Sequence, residues 1–98
     1  MFDRMNGEID AVVIETPNHH HALPALMALR RNIHVYLDKP MTLTVEEAEI
    51  VGRESAARPD VVTQVGTFGH SFYTMPYCVA RVKEGVLGDV TDVWCYSD

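Results

Sequence analysis

Three short polar clusters in this sequence have residue types that can bind a ligand or move a proton. They are Thr16-Pro17-Asn18, Asp38-Lys39-Pro40, and Gln64 with Gly66. Each cluster comes at or just after the end of a short run of β-branched and other apolar residues, and these runs (residues 9–15, 33–37 and 61–65) predict three buried strands. Because ligands of open parallel sheets bind outside the carboxyl ends of the strands, we expect the three clusters to share one edge.

Lys39 is the residue in these clusters best suited to proton chemistry. Pro40 restricts Lys39 to an extended conformation, which carries the ammonium group straight out to the sheet edge. A lysine beside a cleft can donate to a substrate hydroxyl or carbonyl oxygen, or take part in proton transfer. Asp38 can accept hydrogen bonds from sugar hydroxyls or pair with Lys39. For the tripeptide alone, a solvated turn with a helix-stopping proline is the simpler interpretation.

Three consecutive histidines, His19 to His21, follow the first cluster. Neighbours on a helix point about 100° apart, whereas helical metal ligands are spaced by three or four residues, and no carboxylate or cysteine is suitably placed. We therefore expect no metal site here. Capping or packing is the default role, and one of the three can face a ligand. The amides at the start of the following helix favour an anionic group such as a phosphate.

The segments between the predicted strands have helical patterns. Residues 20–31 predict a helix with Pro24 in its first turn, capped by Asn18 or a residue soon after it. Thr44 and Glu47 form a capping box that opens a helix to about residue 57, and a third helix covers about 75–84 with Gly85 as its C-terminal cap. This alternation predicts an α/β protein, part of a doubly wound parallel sheet (βαβαβα) with both faces covered. Residues 90–96 alternate as a half-buried strand that begins another sheet.

Composition excludes several classes of function. The 98 residues carry a formal charge of −6 with no basic stripe, so we expect no nucleic-acid partner. No apolar run has the length of a membrane span or a signal peptide, and two cysteines without a disulfide framework fit a cytoplasmic protein. The six glycines include no G-x-G-x-x-G after a strand, so the dinucleotide phosphate fingerprint is missing.

Four segments in order resemble the Gfo/Idh/MocA family of glucose–fructose oxidoreductase-like and inositol dehydrogenase-like enzymes, which use NAD or NADP. They are D-A-V-V-I-x-T-P-N-H-x-H-A (10–22), H-V-Y-L-D-K-P-M-T-L-T-V-E-E-A (34–48), Q-V-G (64–66) and E-G-V-L-G-D-V (84–90). The resemblance implies that residues 1–88 are the second half of a Rossmann domain without its glycine loop. It implies that residues 89–98 begin a second domain for substrate binding and oligomerisation, so the chain is a fragment.

The resemblance also implies roles for individual residues. Lys39 matches the lysine of the family's E-K-P motif, which lies near nicotinamide and substrate and is treated as catalytic. The peptide before this proline is often cis in the family, and Asp38 stands where glutamate is usual, one methylene shorter. His20 stands where the closest subgroup has tryptophan. The residues implied in cofactor binding are Thr16, Pro17, Asn18, His21, Asp38, Lys39, Pro40, Gln64 and Gly66.

The function that the resemblance implies is hydride transfer between a nicotinamide cofactor, NAD or NADP, and a sugar, polyol or related secondary alcohol. Two alternatives stay open: an NAD-dependent glycoside hydrolase of the same family, and a non-catalytic relative that binds a nucleotide or sugar. The full-length protein is expected to form homo-oligomers, with further acid/base residues beyond residue 98. The 98-residue chain alone is expected to be inactive.

Overall fold

The structure, a computed structural model, describes residues 1–5 and 7–96. The chain divides into two compact units, Met1–Thr67 and Phe68–Asp98. The first unit contains the strands and helices β1 (Ala11–Ile14), α1 (Ala22–Leu29), β2 (His34–Leu37), α2 (Val45–Ala56) and β3 (Thr63–Val65). The second contains α3 (Phe68–Ser71) and α4 (Thr74–Lys83). None of the described helices is long and apolar enough to span a membrane.

The three strands form one parallel sheet in the order β1-β2-β3. Helices connect them, as the alternating pattern of the sequence predicts, so the α/β class and the parallel sheet are confirmed. The register pairs Ile14 with Leu37 and Leu37 with Val65. The last residues of the three strands therefore lie side by side, and the segments that follow them leave the sheet at the same edge.

The starts of the two main helices differ in how well local sequence predicts them. At α2 the capping box is confirmed: the Thr44 hydroxyl accepts from the Glu47 amide at 3.2 Å, and Glu47 accepts from the Thr44 amide at 3.1 Å. At α1 the predicted side-chain cap is wrong. A 3-10 turn at Asn18–His20 precedes Ala22, and no side chain caps either segment.

The core of the first unit lies on one side of the sheet. Its members are buried apolar residues of the N-terminal segment, the sheet, α1 and α2, and of the segments that flank the strands: Phe2, Ile14, Ala22, Ala25, Ala28, Leu29, Ile33, Val35, Leu37, Val51 and Val61. Alternate strand residues point to the opposite face, where Val13 is 68% and Val62 66% exposed. The two crossover helices of the described chain pack on the same side, so the other face of its sheet is uncovered, and the second covered face expected of a doubly wound sheet is not supplied by these helices.

The second unit contains α4 and the segment that follows it. The predicted cap at Gly85 is confirmed: Gly85 has φ +81°, its amide donates to Val82, and the Val86 amide donates to Arg81, which is a Schellman motif. Residues 90–96 pair with no strand of the described chain. Sheet hydrogen bonds need a neighbouring strand, and the sheet predicted to begin at these residues is a different one from β1-β2-β3, so this strand stays a prediction.

An ion-pair network joins α1 to α2 and makes stability depend on pH. Arg30 and Arg58 contact the two carboxylate oxygens of Glu54 at 2.9 Å and 2.6 Å. The pKa of Glu54 lies below its ordinary value of 4.5, mainly because Arg30 donates a hydrogen bond to the carboxylate. Arg58 adds to this effect. A lowered pKa in the folded state stabilises the fold above pH 4.5, and this contribution is lost as the pH falls through the folded value.

We expect Glu54→Gln to lower stability at pH 7, and we expect its difference from wild type to shrink as the pH falls from 5 towards 3. Urea unfolding of both proteins across this range measures the effect. Glu49→Gln is the matched control, since Glu49 lies on the same helix with its only described ion pair at 4.0 Å from Arg53. A difference between wild type and Glu54→Gln that stays constant with pH would contradict the prediction.

Candidate functional site

The ends of β2 and β3 hold two of the predicted site residues by backbone hydrogen bonds. The Asp38 amide donates to the carbonyl of Ile14 at 3.0 Å, and the Gly66 amide donates to the carbonyl of Leu37 at 2.8 Å. Asp38 and Gly66 are thus the first residues beyond their strands and remain attached to the neighbouring strand. This arrangement brings all three polar clusters to the carboxyl edge of the sheet.

The Asp38-Lys39-Pro40 segment presents a lysine to solvent from a fixed backbone. Asp38 is half-buried, whereas Lys39 and Pro40 are exposed. The peptide bond between Lys39 and Pro40 is cis, as the resemblance implies. Lys39 belongs to none of the salt bridges found among the described residues, so the pairing with Asp38 considered from the sequence is not seen. Its ammonium group is accessible to a ligand at this edge.

The Thr16-Pro17-Asn18 segment lies on the surface between β1 and α1, and all three residues are exposed. The Thr16 hydroxyl donates to the carbonyl of His20 at 3.2 Å, and the His20 amide donates to the carbonyl of Pro17 at 2.7 Å. These bonds fold the segment into a compact turn in front of the helix. Its side chains line the edge without being occupied in capping α1.

The three histidines have separate environments. The rings of His19 and His20 lie on the surface with centroids 4.2 Å apart, whereas His21 is buried with 1% of its surface exposed. Among the described residues no group of three or more histidine, cysteine, aspartate or glutamate side chains is placed to hold a metal ion. Successive residues around a helix point in different directions, which separates His21 from the other two.

His21 uses both of its ring nitrogens inside the protein. Nδ1 lies 2.6 Å from the carbonyl oxygen of Pro40, and Nε2 lies 2.6 Å from the carbonyl oxygen of Thr16. No ring nitrogen is left to reach a ligand at the edge. This placement does not fit the direct cofactor contact expected for His21. The ring instead contacts the backbone of two segments of the site.

Gln64 lies in β3, and Gly66 is the first residue beyond that strand. The Gln64 side chain is exposed, and its amide nitrogen donates to the carbonyl of the adjacent Val65 at 2.7 Å. Gly66 is buried against the second cluster: a Cβ added there would lie 2.8 Å from the Tyr36 hydroxyl and 3.0 Å from the Asp38 carboxylate. The absence of a side chain at Gly66 lets these two polar groups converge beside the sheet edge.

Tyr36 is the residue at this site that sequence reasoning missed. It lies in β2 between buried Val35 and buried Leu37, and is itself 41% exposed. The alternation of β2 therefore turns its ring to the face opposite the core, and its hydroxyl approaches Gly66. The period-two pattern of the strand contains this signal, because a tyrosine between two buried residues must face the other side.

We expect Gly66→Ala to displace the Tyr36 hydroxyl and the Asp38 carboxylate, because a Cβ cannot remain within 3.0 Å of other heavy atoms. The atoms it meets are the ends of side chains, so the fold should persist. For the nicotinamide cofactor that the resemblance implies, affinity should fall by about tenfold, equivalent to ~1.4 kcal/mol, as measured by titration of the full-length protein. Gly52→Ala is the matched control, since its Cβ meets nothing within 4 Å. Equal affinities in the two variants would contradict the prediction.

A parallel sheet with helical crossovers and polar segments collected at its carboxyl edge defines an open α/β sheet of the Rossmann type. Within that class, the chain belongs to the Gfo/Idh/MocA family, an oxidoreductase family with an NAD-binding Rossmann fold, whose profile matches residues 1–67.

Individual relatives support this membership. A glucose-6-phosphate 3-dehydrogenase of Bacillus subtilis is 35% identical over 66% of this chain and 19% of its own length. A 2,7-anhydro-N-acetylneuraminate hydratase of Escherichia coli is 31% identical over 84% of this chain and 22% of its own length. The crystal structure of scyllo-inositol dehydrogenase from Lactobacillus casei with NAD(H) and scyllo-inositol has a TM-score of 0.80 at 30% identity, over 93% of this chain and 27% of that one. The chain spans about a quarter of the length of such relatives.

Proposed function

We propose that this chain is part of an oxidoreductase that transfers a hydride between NAD or NADP and a sugar, polyol or related secondary alcohol. The observation that carries the proposal is the exposed Lys39, held at the carboxyl edge of the sheet beside the other polar clusters, in a chain of an NAD-binding oxidoreductase family. The relatives named for acting on glucose 6-phosphate and scyllo-inositol support the substrate class.

The carboxyl edge fits a nicotinamide cofactor. Thr16, Asn18 and Lys39 are exposed there, and Gly66 lets the Tyr36 hydroxyl and the Asp38 carboxylate approach the same edge. In the proposed function Thr16, Pro17 and Asn18 line the dinucleotide, together with Asp38, Pro40, Gln64 and Gly66. The bound cofactor supplies the hydride acceptor or donor.

Lys39 performs the acid/base part of the proposed reaction. Its ammonium group donates a hydrogen bond to the substrate oxygen and orients the reacting carbon. In the oxidation direction the neutral amine form of Lys39 accepts the hydroxyl proton, and in the reduction direction its ammonium form returns a proton to the substrate oxygen. Asp38, half-buried beside it, accepts hydrogen bonds from ligand hydroxyl groups.

The proposed parent protein is longer than this chain. In the proposal, residues 1–88 belong to its Rossmann domain and residues 89–98 begin a second domain that completes the substrate site and forms homo-oligomers. The cytoplasm is the proposed location. Size-exclusion chromatography with light scattering of the full-length protein tests the oligomer, and a monomer at micromolar concentration would contradict it.

The experiment that tests the activity is an assay of the full-length protein with NAD and with NADP against a panel of inositols, sugars and sugar phosphates. Formation of the reduced cofactor with one of these alcohols supports the proposal. Tight binding of cofactor and sugar with no turnover across the panel favours the non-catalytic alternative and contradicts it.

A reaction without net oxidation is the second candidate. The Escherichia coli relative is named a hydratase, which is a name for a reaction with no net transfer of electrons. An NAD-dependent glycoside hydrolase works in this way, through a transient oxidation that permits elimination. Release of reducing sugar without accumulation of NADH identifies it, whereas stoichiometric NADH formation excludes it.

A further inference from the structure

The buried imidazole of His21 connects two of the three polar clusters. We propose that His21 is a positioning residue, which ties the Thr16 segment to the Asp38-Lys39-Pro40 segment and thereby fixes Lys39. This inference rests on the proposed function, in which Lys39 is the catalytic residue. It replaces the direct cofactor contact that the family resemblance implies for His21.

The geometry of the ring supports a bridging role. Its two nitrogens each lie 2.6 Å from a backbone carbonyl oxygen, that of Thr16 on one side and that of Pro40 on the other. A carbonyl oxygen only accepts hydrogen bonds, whereas a neutral imidazole donates from one ring nitrogen and an imidazolium from both. The ring therefore donates to at least one of the segments and, when it carries two protons, to both.

The ring is held on a rigid support. The His21 amide donates to the carbonyl of Asn18, and its carbonyl accepts from the Ala25 amide, both at 3.3 Å. Ala22 and Ala25, in the first turn of α1, are buried in the core. The position of the imidazole is consequently set by the packing of α1 against the sheet.

The backbone on either side of Lys39 is anchored, although its side chain is exposed. On the side before it, the Asp38 amide donates to the carbonyl of Ile14. On the side after it, the Pro40 carbonyl contacts His21. Removing the imidazole releases the second anchor and leaves the first intact. The expected result is a lysine attached at one end only, whose ammonium group is less well aligned with the substrate.

The test uses the full-length protein with His21→Phe, Lys39→Ala and the double variant. We expect His21→Phe to lower kcat by about 10- to 100-fold at saturating cofactor, since small displacements of a reacting group have effects of this order. In the Lys39→Ala background the same substitution should lower kcat by less than about twofold, because its effect passes through the lysine. Leu29→Ala, at a fully buried residue of α1, is the control: its melting temperature should fall while kcat per folded molecule stays within about twofold.

The possible outcomes distinguish failure of this inference from failure of the proposed function. If Lys39→Ala retains activity, the proposed function fails. If Lys39→Ala loses activity but His21→Phe keeps it, or if the two losses multiply in the double variant, the positioning role is wrong. Should His21→Phe fail to fold, His21→Gln keeps a donor group and is expected to show a smaller loss of kcat with the same dependence on Lys39. If His21→Gln lowers kcat by the same factor in the Lys39→Ala background as in the wild-type background, the inference is also wrong.

Discussion

Replacement of Lys39 by alanine in the full-length protein is expected to lower turnover by at least about 100-fold. General acid–base groups contribute 10²- to 10⁴-fold, and Lys39 is the one lysine in the sequence of the first unit, Met1–Thr67. The exposed position of Lys39 and its absence from the described salt bridges mean that the loss should come from chemistry rather than from unfolding. Steady-state kinetics with saturating cofactor measure it.

Two further variants sharpen this experiment. Lys83→Ala removes the same side chain from an exposed helix position and should leave kcat unchanged. Lys39→Arg keeps the positive charge but replaces a compact ammonium with a planar guanidinium that does not give up its proton, so activity should stay low. Turnover of Lys39→Ala close to that of wild type would reject Lys39 as the catalytic residue.

The parts of the fold that sequence predicts well are those determined by near neighbours. The capping box at Thr44 needs only residues three apart, and the cap at Gly85 needs only one residue that tolerates a positive φ. The parallel sheet follows from short apolar runs separated by helices, since parallel strands require crossover connections. Each of these sequence signals lies within a few residues of the helix or strand that it predicts.

Features that depend on distant parts of the chain are harder to predict from sequence. The alternation at 90–96 describes what each residue would do in a strand, but it does not specify which strand would accept its hydrogen bonds. The expectation of two covered faces likewise assumes helices on both sides. Val13 and Val62 stay exposed because the described crossover helices pack against the opposite face.

In the candidate site, too, features set by near neighbours could be predicted and features set by distant residues could not. The position of Lys39 could be predicted, because the strand before it and Pro40 after it together direct the chain outward. The environment of His21 could not, since its partner at Pro40 is 19 residues away and a histidine next to two exposed histidines has no local signal of burial. Tyr36 was overlooked because its approach to Gly66 joins two strands.

The second large effect concerns the cofactor affinity of the 98-residue chain by itself. We expect no turnover and no affinity for NAD tighter than about millimolar, equivalent to ~4 kcal/mol of binding free energy. The pyrophosphate of a dinucleotide is normally held by a glycine-rich turn and the helix N-terminus that follows it. The six glycines of this sequence include no G-x-G-x-x-G motif, so in the proposed function the carboxyl edge contacts the nicotinamide half of the cofactor without its main anionic anchor.

Isothermal titration of NAD into the 98-residue chain measures this affinity. Circular dichroism of the same sample establishes whether the chain is folded, so that weak binding of a folded chain is separated from loss of structure. The full-length protein, titrated under identical conditions, is the control and should bind at least about 100-fold more tightly, a difference of ~2.7 kcal/mol. Micromolar binding by the short chain would show that Thr16, Asn18 and their neighbours hold the dinucleotide without a glycine loop. It would contradict the proposal that the half of the Rossmann domain with the glycine loop supplies most of the affinity.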